Sequence, residues 1–192
     1  MPTYHHGDLR RVLLEAAASA IRESGVPALS LRALARRAGV SHAAPAHHFG
    51  DKAGLLTALA AQGYALLADA LAAANNFLDS GVAYVSFAVA HPAHFEVMFS
   101  AVLKDDPALR EARDQAAAVL YRHVDALADP GEVRDAALAA WSMAHGFATL
   151  WLSGSLPDVG TSPEVAARRV LSELGDGADR GARGHRGADL DG

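Results

Sequence analysis

The sequence contains no cysteine, which excludes disulfides, thiolate metal sites and a cysteine nucleophile. It also has no glycine-rich nucleotide-binding loop, no HExxH pair and no GxSxG elbow, so the common sequence signatures of enzymes are missing. His91 and His94 are spaced as metal ligands could be, but Pro92 lies between them and no matching acid or cysteine accompanies them. We therefore expect no enzyme, no cofactor and no metal site.

A net positive charge is missing too, since the formal net charge of the 192 residues is -5. The charge is unevenly distributed, however. Residues 1–60 contain seven Lys or Arg and four Asp or Glu, a balance of +3 that leaves -8 for the remaining residues. This distribution favours a contact with nucleic acid near the N-terminus and no general binding of polyanions.

No basic segment followed by an apolar core opens the sequence, which argues against an export signal. The uncharged run at 136–152 is long enough to be considered as a membrane span, but it includes Ser142, His145, Gly146 and Thr149. A buried interface helix explains this composition better than a span does. We expect a cytoplasmic protein with no membrane partner.

Helical periodicity dominates the sequence, and no strand-like alternation persists, which predicts an all-α fold. Residues 29–52 outline a helix-turn-helix. Ser30 and Ser41 each stand where a hydroxyl can cap a short helix, and Gly39 lies at the corner between the two helices. Pro45 falls inside the second of these helices, at a position that should pack inward, and is expected to remove one helical hydrogen bond.

Other glycine, proline and aspartate positions mark the neighbouring helices. Gly25, with Pro27 beyond it, is expected to end the first helix, and Asp51 to cap a long fourth helix. From residue 175 onward the sequence is rich in glycine and poor in apolar residues, which predicts a disordered tail at 175–192.

Three stretches, at 4–10, 31–52 and 141–146, together resemble TetR/AcrR-type transcriptional regulators, in particular a branch with a Trp…His-Gly signature in its ligand domain. The resemblance implies an N-terminal three-helix helix-turn-helix domain at 1–50. It also implies a larger helical domain for ligand binding and dimerisation at 51–174.

The resemblance further implies which side chains meet double-stranded DNA. The exposed positions of the second helix of the helix-turn-helix, the recognition helix, would contact bases in the major groove. Phosphates would be contacted by the backbone near the two capping serines and by the residues that flank this helix, and the N-terminal arm would add a tyrosine. The predicted DNA-binding residues are Tyr4, Ser30, Arg32, Ser41, His42, Ala43, Ala44, Ala46, His47, His48 and Lys52. Ala46 departs from the family pattern, because many relatives carry an aromatic residue there that touches the phosphate backbone.

Aromatic and apolar residues of the larger domain are candidates for an effector site, although most such residues pack a core. The predicted ligand-binding residues are Tyr84, Phe87, Phe95, Met98, Phe99, Tyr121, Trp141, His145 and Trp151. Trp141 and His145 are four residues apart and should share a helix face, and Gly146 would allow another backbone to come near.

The sequence thus predicts a homodimeric, sequence-specific DNA-binding regulator. By family habit it would be a repressor, released from a near-palindromic operator by a small apolar effector. The alternative is a helical small-molecule carrier with a vestigial DNA-binding domain, which the missing aromatic residue at Ala46 and the weak positive charge favour.

Overall fold

A computed structural model describes residues 6–125, 133–158 and 160–173, and within these ranges every regular element is a helix. Tyr4 and the predicted disordered tail at 175–192 lie outside the described residues. The all-α prediction is confirmed. The helices are α1 (His6–Ala28), α2 (Leu31–Arg37), α3 (Ala44–Phe49), α4 (Lys52–Ala72), α5 (Phe77–Ala90), α6 (Pro92–Met98), α7 (Pro107–Asp125) and α8 (Val133–Leu152), followed by α9 at 163–173.

The boundaries of the first two helices are set by local chemistry. Gly25 leaves the helical conformation at φ 75° and ψ 165°, so regular α1 ends there, as predicted. The Ser30 hydroxyl accepts a hydrogen bond from the Ala33 N–H at 3.2 Å and caps α2, which confirms that prediction too. After α2, Gly39 turns the chain at φ 66°.

The start of α3, the predicted recognition helix, corrects two predictions. Ser41 is not its cap: residues 42 and 43 form a turn, the Ala44 N–H donates to the Ser41 carbonyl at 3.0 Å, and α3 begins at Ala44. Pro45 therefore lies in the first turn of the helix, where the backbone N–H groups have no intrahelical partner. For this reason its missing N–H removes no helical hydrogen bond, although Pro45 does pack inward, as predicted.

Asp51 caps the long helix α4, because its Oδ1 accepts a hydrogen bond from the Gly54 N–H at 2.8 Å. Leu55, Leu56 and Leu59 of this helix are fully buried. Among the described residues, α4 is the one helix long and apolar enough to cross a membrane, and 56% of its most apolar stretch is buried inside the protein. Such burial is typical of a core helix in a globular protein.

The chain divides into two compact units. Unit 1 contains Met1–Asp69 and Ala90–Ala118, and unit 2 contains Ala70–Val89 and Val119–Gly192. Packing therefore groups most of α4, α6 and the start of α7 with the helix-turn-helix, because α1 contacts both α2 and α6, and α2 contacts α3. The sequence predicts a division at residue 50 between a DNA-binding and a ligand domain. That division concerns function and not packing, and it stays a prediction.

Two glycines mark close helix contacts, one in each unit. A Cβ atom on Gly63 of α4 would lie 2.7 Å from Met98 Sδ, and one on Gly81 of α5 would lie 2.7 Å from Leu171 Cδ1. A Cβ on Gly146 of α8 would meet nothing within 4 Å, so the backbone approach expected at Gly146 is not found among the described residues.

Candidate DNA-binding and ligand-binding sites

The helix-turn-helix is anchored to α1 by two side-chain contacts. The Arg37 guanidinium donates to both carboxylate oxygens of Glu23, at 2.6 and 2.5 Å, and to the Ser19 hydroxyl at 2.9 Å. The hydrogen bonds from Arg37 lower the pKa of the Glu23 carboxyl. At the other end, the Arg10 guanidinium lies 5.5 Å from the centre of the Phe49 ring. These contacts fix the C-terminal ends of α2 and α3.

The outer face of α3 and of the turn before it is open to solvent. His42, Ala43, Ala46 and His47 are exposed, whereas Pro45 is buried on the inner side. Two imidazoles and two methyl groups are thus presented outward, which suits hydrogen bonds to guanine or phosphate oxygens and apolar contact with thymine methyl groups.

Two further candidates of this helix, Ala44 and His48, are half-buried. The ring of His48 packs edge-on against that of His47, with the centroids 5.5 Å apart, and lies 6.2 Å from that of Phe49. Part of the His48 surface therefore serves the packing of α3.

The flanking candidates differ in how far their polar groups are already engaged. Arg32 and Ser41 are exposed, while the hydroxyl of the exposed Ser30 is occupied by the α2 cap. Lys52 is half-buried, and its ammonium donates to the Pro27 carbonyl at 3.2 Å. Because an ammonium carries three donors, Lys52 can hold this bond and still donate to an anion.

The corner between α3 and α4 is tightly built. Gly50 turns the chain at φ 76°, and the Asp51 N–H donates to the Phe49 carbonyl at 2.9 Å. A Cβ atom on Gly54 would lie only 2.0 Å from the same carbonyl oxygen. Residues 49–54 therefore form a corner in which the C-terminal end of α3 packs directly on the first turn of α4.

Sequence reasoning missed Lys104, which reaches this corner from the segment between α6 and α7. Its ammonium lies 2.9 Å from Asp51 Oδ2, and its backbone N–H donates to the hydroxyl of the buried Thr57 at 2.9 Å. Thr57 in turn donates to the Ala53 carbonyl at 2.7 Å. The hydrogen bond from Lys104, together with that from the Gly54 N–H, lowers the pKa of the Asp51 carboxyl.

Three of the predicted ligand-binding residues form a polar cluster in unit 2. Trp141 and His145 lie on the same face of α8, as predicted, and both contact the hydroxyl of the buried Tyr84. The Trp141 indole N–H donates to Tyr84 Oη at 3.2 Å, which leaves the phenol hydrogen available to His145 Nδ1 at 2.9 Å. Burial lowers the pKa of His145, which favours the neutral imidazole in this cluster.

The other candidates of unit 2 are more varied. Phe87 is buried, Tyr121 is 42% exposed, and the Trp151 ring stacks on that of Phe147 with centroids 6.0 Å apart. His123 of α7 was not predicted, yet its Nδ1 is buried without a hydrogen-bond partner among the described residues. Such an atom is a place where a ligand could complete the hydrogen bonding.

Phe95, Met98 and Phe99 belong instead to unit 1, in and just after α6. Phe95 and Met98 are buried, while Phe99 is 40% exposed and packs against the rings of Phe95 and Tyr64 at 5.5 and 6.4 Å. The nine candidates are thus divided between the two units, and which of them line a ligand cavity stays a prediction. A recess of about 290 Å³ in unit 1 contains none of them; it is lined by Arg10, Arg11, Leu14, Ala58, Ala61, Gln62 and Ala108.

The histidine pair of the α6 region is engaged in packing. His94 is buried, its Nε2 lies 3.2 Å from Gln62 Oε1, and its ring meets that of His91 edge-on at 5.7 Å. In the part of the chain that the structure describes, no group of three or more His, Cys, Asp or Glu side chains is placed to hold a metal ion.

Two family profiles match the chain. The one described as "Bacterial regulatory proteins, tetR family" matches residues 13–59, and "Tetracyclin repressor-like, C-terminal domain" matches residues 77–174, about half of the chain. Their junction falls within and just after α4. No curated protein sequence matches.

Among solved structures, a protein of unknown function from Rhodococcus sp. RHA1 is 37% identical, with a TM-score of 0.77 over 92% of this chain and 98% of that chain. A regulatory protein in the tetR family from Rhodococcus RHA1 is 21% identical, with a TM-score of 0.68 over 85% and 93% of the two chains. A variant of TetR from Acinetobacter baumannii AYE, in complex with minocycline, is 18% identical, with a TM-score of 0.64 over 93% and 98%. The last two likenesses concern the fold alone.

Both halves of the chain therefore match the same family, and the helices stand in the order that this family requires, with a helix-turn-helix before a larger helical domain. Members of the family are regulators and not enzymes. On this evidence the chain belongs to the TetR family of bacterial regulatory proteins.

Proposed function

We propose that the protein is a sequence-specific transcriptional repressor that a small, mainly apolar effector releases from a near-palindromic operator. The observation that carries this proposal is the two-sided burial of α3 and the turn before it. Pro45 and Phe49 are buried on the inner side, whereas His42, Ala46 and His47 are exposed. A short helix that packs through its inner side and exposes its outer side is suited to entering the major groove.

A homodimer would give the protein two such reading helices. Support comes from the large apolar side chains that α8 and α9 leave 39–55% exposed, namely Leu138, Trp141, Leu150, Leu152, Val165 and Val170. Their burial against a second copy in a four-helix bundle would remove a large apolar surface from water. A twofold dimer would then place its reading helices about 34–36 Å apart, one turn of duplex DNA.

An effector site in unit 2 is supported by the Tyr84, Trp141 and His145 cluster and by the unpartnered His123 Nδ1. These polar atoms lie on helices whose buried residues are mostly apolar, the composition that small-molecule sites commonly have. The minocycline complex of the Acinetobacter baumannii variant is a precedent in that protein for a small molecule held by this fold. The Trp…His-Gly branch and a cytoplasmic location are part of the same proposal.

The first experiment is selection of bound duplexes from random DNA, followed by titration of the best duplex at two salt concentrations. We expect a near-palindromic site whose affinity falls with rising salt, because contacts with phosphates release counterions. Failure to enrich any sequence, with no salt-dependent binding, would contradict the proposal and favour the carrier with a vestigial DNA-binding domain.

A further inference from the structure

The corner at 49–54 contains one carboxylate, that of Asp51. Asp51 is separated from the end of the recognition helix by Gly50 alone and is followed by Lys52, the candidate phosphate contact. The phosphate backbone carries a dense negative charge, so an unpaired carboxylate at this position would repel it. The acid is nevertheless useful to the fold, because Asp51 caps α4 through the Gly54 N–H.

Lys104 supplies the compensating charge from a distant part of the chain. Its ammonium pairs with Asp51 Oδ2 at 2.9 Å, and the side chains of Lys104 and Asp51 are 48% and 60% exposed. A surface ion pair of this kind adds little to stability. Its effect on the charge that an approaching polyanion meets is larger, since Asp51 and Lys52 together give residues 49–54 a net charge of zero and Lys104 raises it to +1.

The backbone holds Lys104 at this place independently of the ion pair. The hydrogen bond from its N–H to the buried Thr57 hydroxyl fixes the segment between α6 and α7, residues 99–106, against the first turns of α4. The same segment begins at Phe99, whose ring packs on Tyr64 of α4. The position of the Lys104 charge thus depends on how this segment lies on α4.

We propose that Lys104 is a charge-masking residue of the DNA-binding face, which neutralises Asp51 so that the corner after the recognition helix can approach the phosphate backbone. This inference rests on the proposed function. It adds that a segment outside the helix-turn-helix sets part of the DNA affinity, and that an effector which displaces residues 99–106 would expose the Asp51 charge to DNA.

The test is a double-mutant cycle with Lys104→Met, Asp51→Asn and the double variant. Methionine keeps the apolar stem of the lysine and leaves the backbone bond to Thr57 in place, and the asparagine amide oxygen can still cap Gly54. Arg168→Met is the matched control, since Arg168 pairs with Asp79 in unit 2, outside the segment that holds Lys104, and its loss changes the charge by the same amount. Binding to the selected duplex and to one fixed unrelated duplex is measured at low and high salt.

We expect affinity to follow the net charge of the corner. Lys104→Met should weaken binding about fivefold at low salt, Asp51→Asn should tighten it by a similar factor, and the double variant should return close to the wild-type value. These differences should shrink at high salt. The Arg168→Met control should leave affinity nearly unchanged, and thermal unfolding should show all variants folded.

A double variant as weak as Lys104→Met would overturn the inference, because Lys104 would then contact phosphate itself or act only by positioning the segment. Unchanged binding by Lys104→Met would overturn it as well. If the wild-type protein binds neither duplex even at low salt, the proposed function fails together with this inference. If it binds and the variants do not follow charge, only the inference fails.

Discussion

Lys52 and His47 illustrate how two neighbouring residues of one DNA-binding unit are expected to act differently. The Lys52 ammonium is already bonded to the Pro27 carbonyl and so has a fixed direction at the start of α4, whereas the His47 imidazole stands on the exposed face of α3. A fixed cation suits phosphate, which is the same for every sequence, and an imidazole in the groove can distinguish bases.

Lys52→Ala should therefore weaken binding by a similar factor on all duplexes and reduce the salt dependence by about one phosphate contact for each half-site. His47→Ala should instead change the preference among related duplexes. Titration of both variants against a small panel of single-base changes in the selected site checks this. Equal, sequence-independent losses for both variants would remove the roles assigned to them.

We expect the burial of His94 to make stability depend on pH. Burial, and secondarily the charges of His91 and Arg22, lower the pKa of His94 to about 4, below its ordinary value of 6.5. The unfolded chain therefore binds the proton more strongly. The stability that the neutral imidazole provides is complete above pH 6.5 and is lost as the pH falls toward 4.

We expect wild-type protein to lose about 2 kcal/mol more unfolding free energy than His94→Gln between pH 7 and pH 4.5. Glutamine does not titrate and can still form a hydrogen bond with Gln62. Denaturant unfolding of both proteins at several pH values measures the difference. Parallel pH profiles would show that His94 does not cause the loss.

At the scale of elements, the corner between α3 and α4 depends on the absence of one side chain. Gly54→Ala would place a Cβ atom 2.0 Å from the Phe49 carbonyl oxygen, so the backbone of α3 or α4 would have to move. We expect a loss of about 1–3 kcal/mol in unfolding free energy, in the range of overpacked sites.

Gly146→Ala is the matched control, because it too adds one methyl group to a helical glycine, but in space that is open in the described chain. It should be neutral or should stabilise α8 by up to about 1 kcal/mol. Thermal and denaturant unfolding of the two variants provide the measurement. Similar stabilities for both would mean that the corner tolerates a methyl group.

The elements that could be predicted from the sequence are those set by neighbouring residues. Gly25, Ser30 and Asp51 were assigned correctly because a glycine break or a side-chain cap acts within three residues. Ser41 was assigned wrongly because α3 begins only at Ala44, with Pro45 in its first turn, and the hydroxyl pattern alone does not say at which residue the helix starts.

Contacts between residues far apart in the chain could not be predicted from the sequence. Lys104 meets Asp51 across 53 residues, and Tyr84 meets His145 across 61, and neither pair forms a local motif. The spacing of the aromatic residues predicted helical packing. It did not predict that residues 90–118, which include α6, belong to unit 1 while residues 70–89 belong to unit 2. Which of them contact an effector is therefore still a prediction.

At the scale of the whole molecule, the exposed apolar face of α8 leads to a prediction about assembly. Leu138 is 55% exposed, and if it lies in a dimer interface, Leu138→Glu would bring two like charges into an apolar contact. We expect the dimer dissociation constant to rise at least about tenfold, and binding to a two-half-site operator to weaken with it.

Val102→Glu is the matched control, since Val102 is also 55% exposed but lies in the segment 99–106. It should leave the oligomeric state unchanged in sedimentation equilibrium at micromolar concentration. A wild-type protein that is monomeric under these conditions would contradict the dimer, whatever the variants do.

The tight corner at 49–54 also limits how the specificity of this protein could be exchanged with that of a relative. A chimera joined at residue 50 would place the backbone carbonyl of a foreign residue against native Gly54, and would combine a foreign recognition helix with the native Asp51 and Lys104. A functional graft would have to carry the first turns of α4, including Thr57, and the matching residues between α6 and α7. The residues that would have to be transferred together are thus discontinuous in sequence. The junctions of a hybrid regulator should be chosen so that residues in contact with one another come from the same parent.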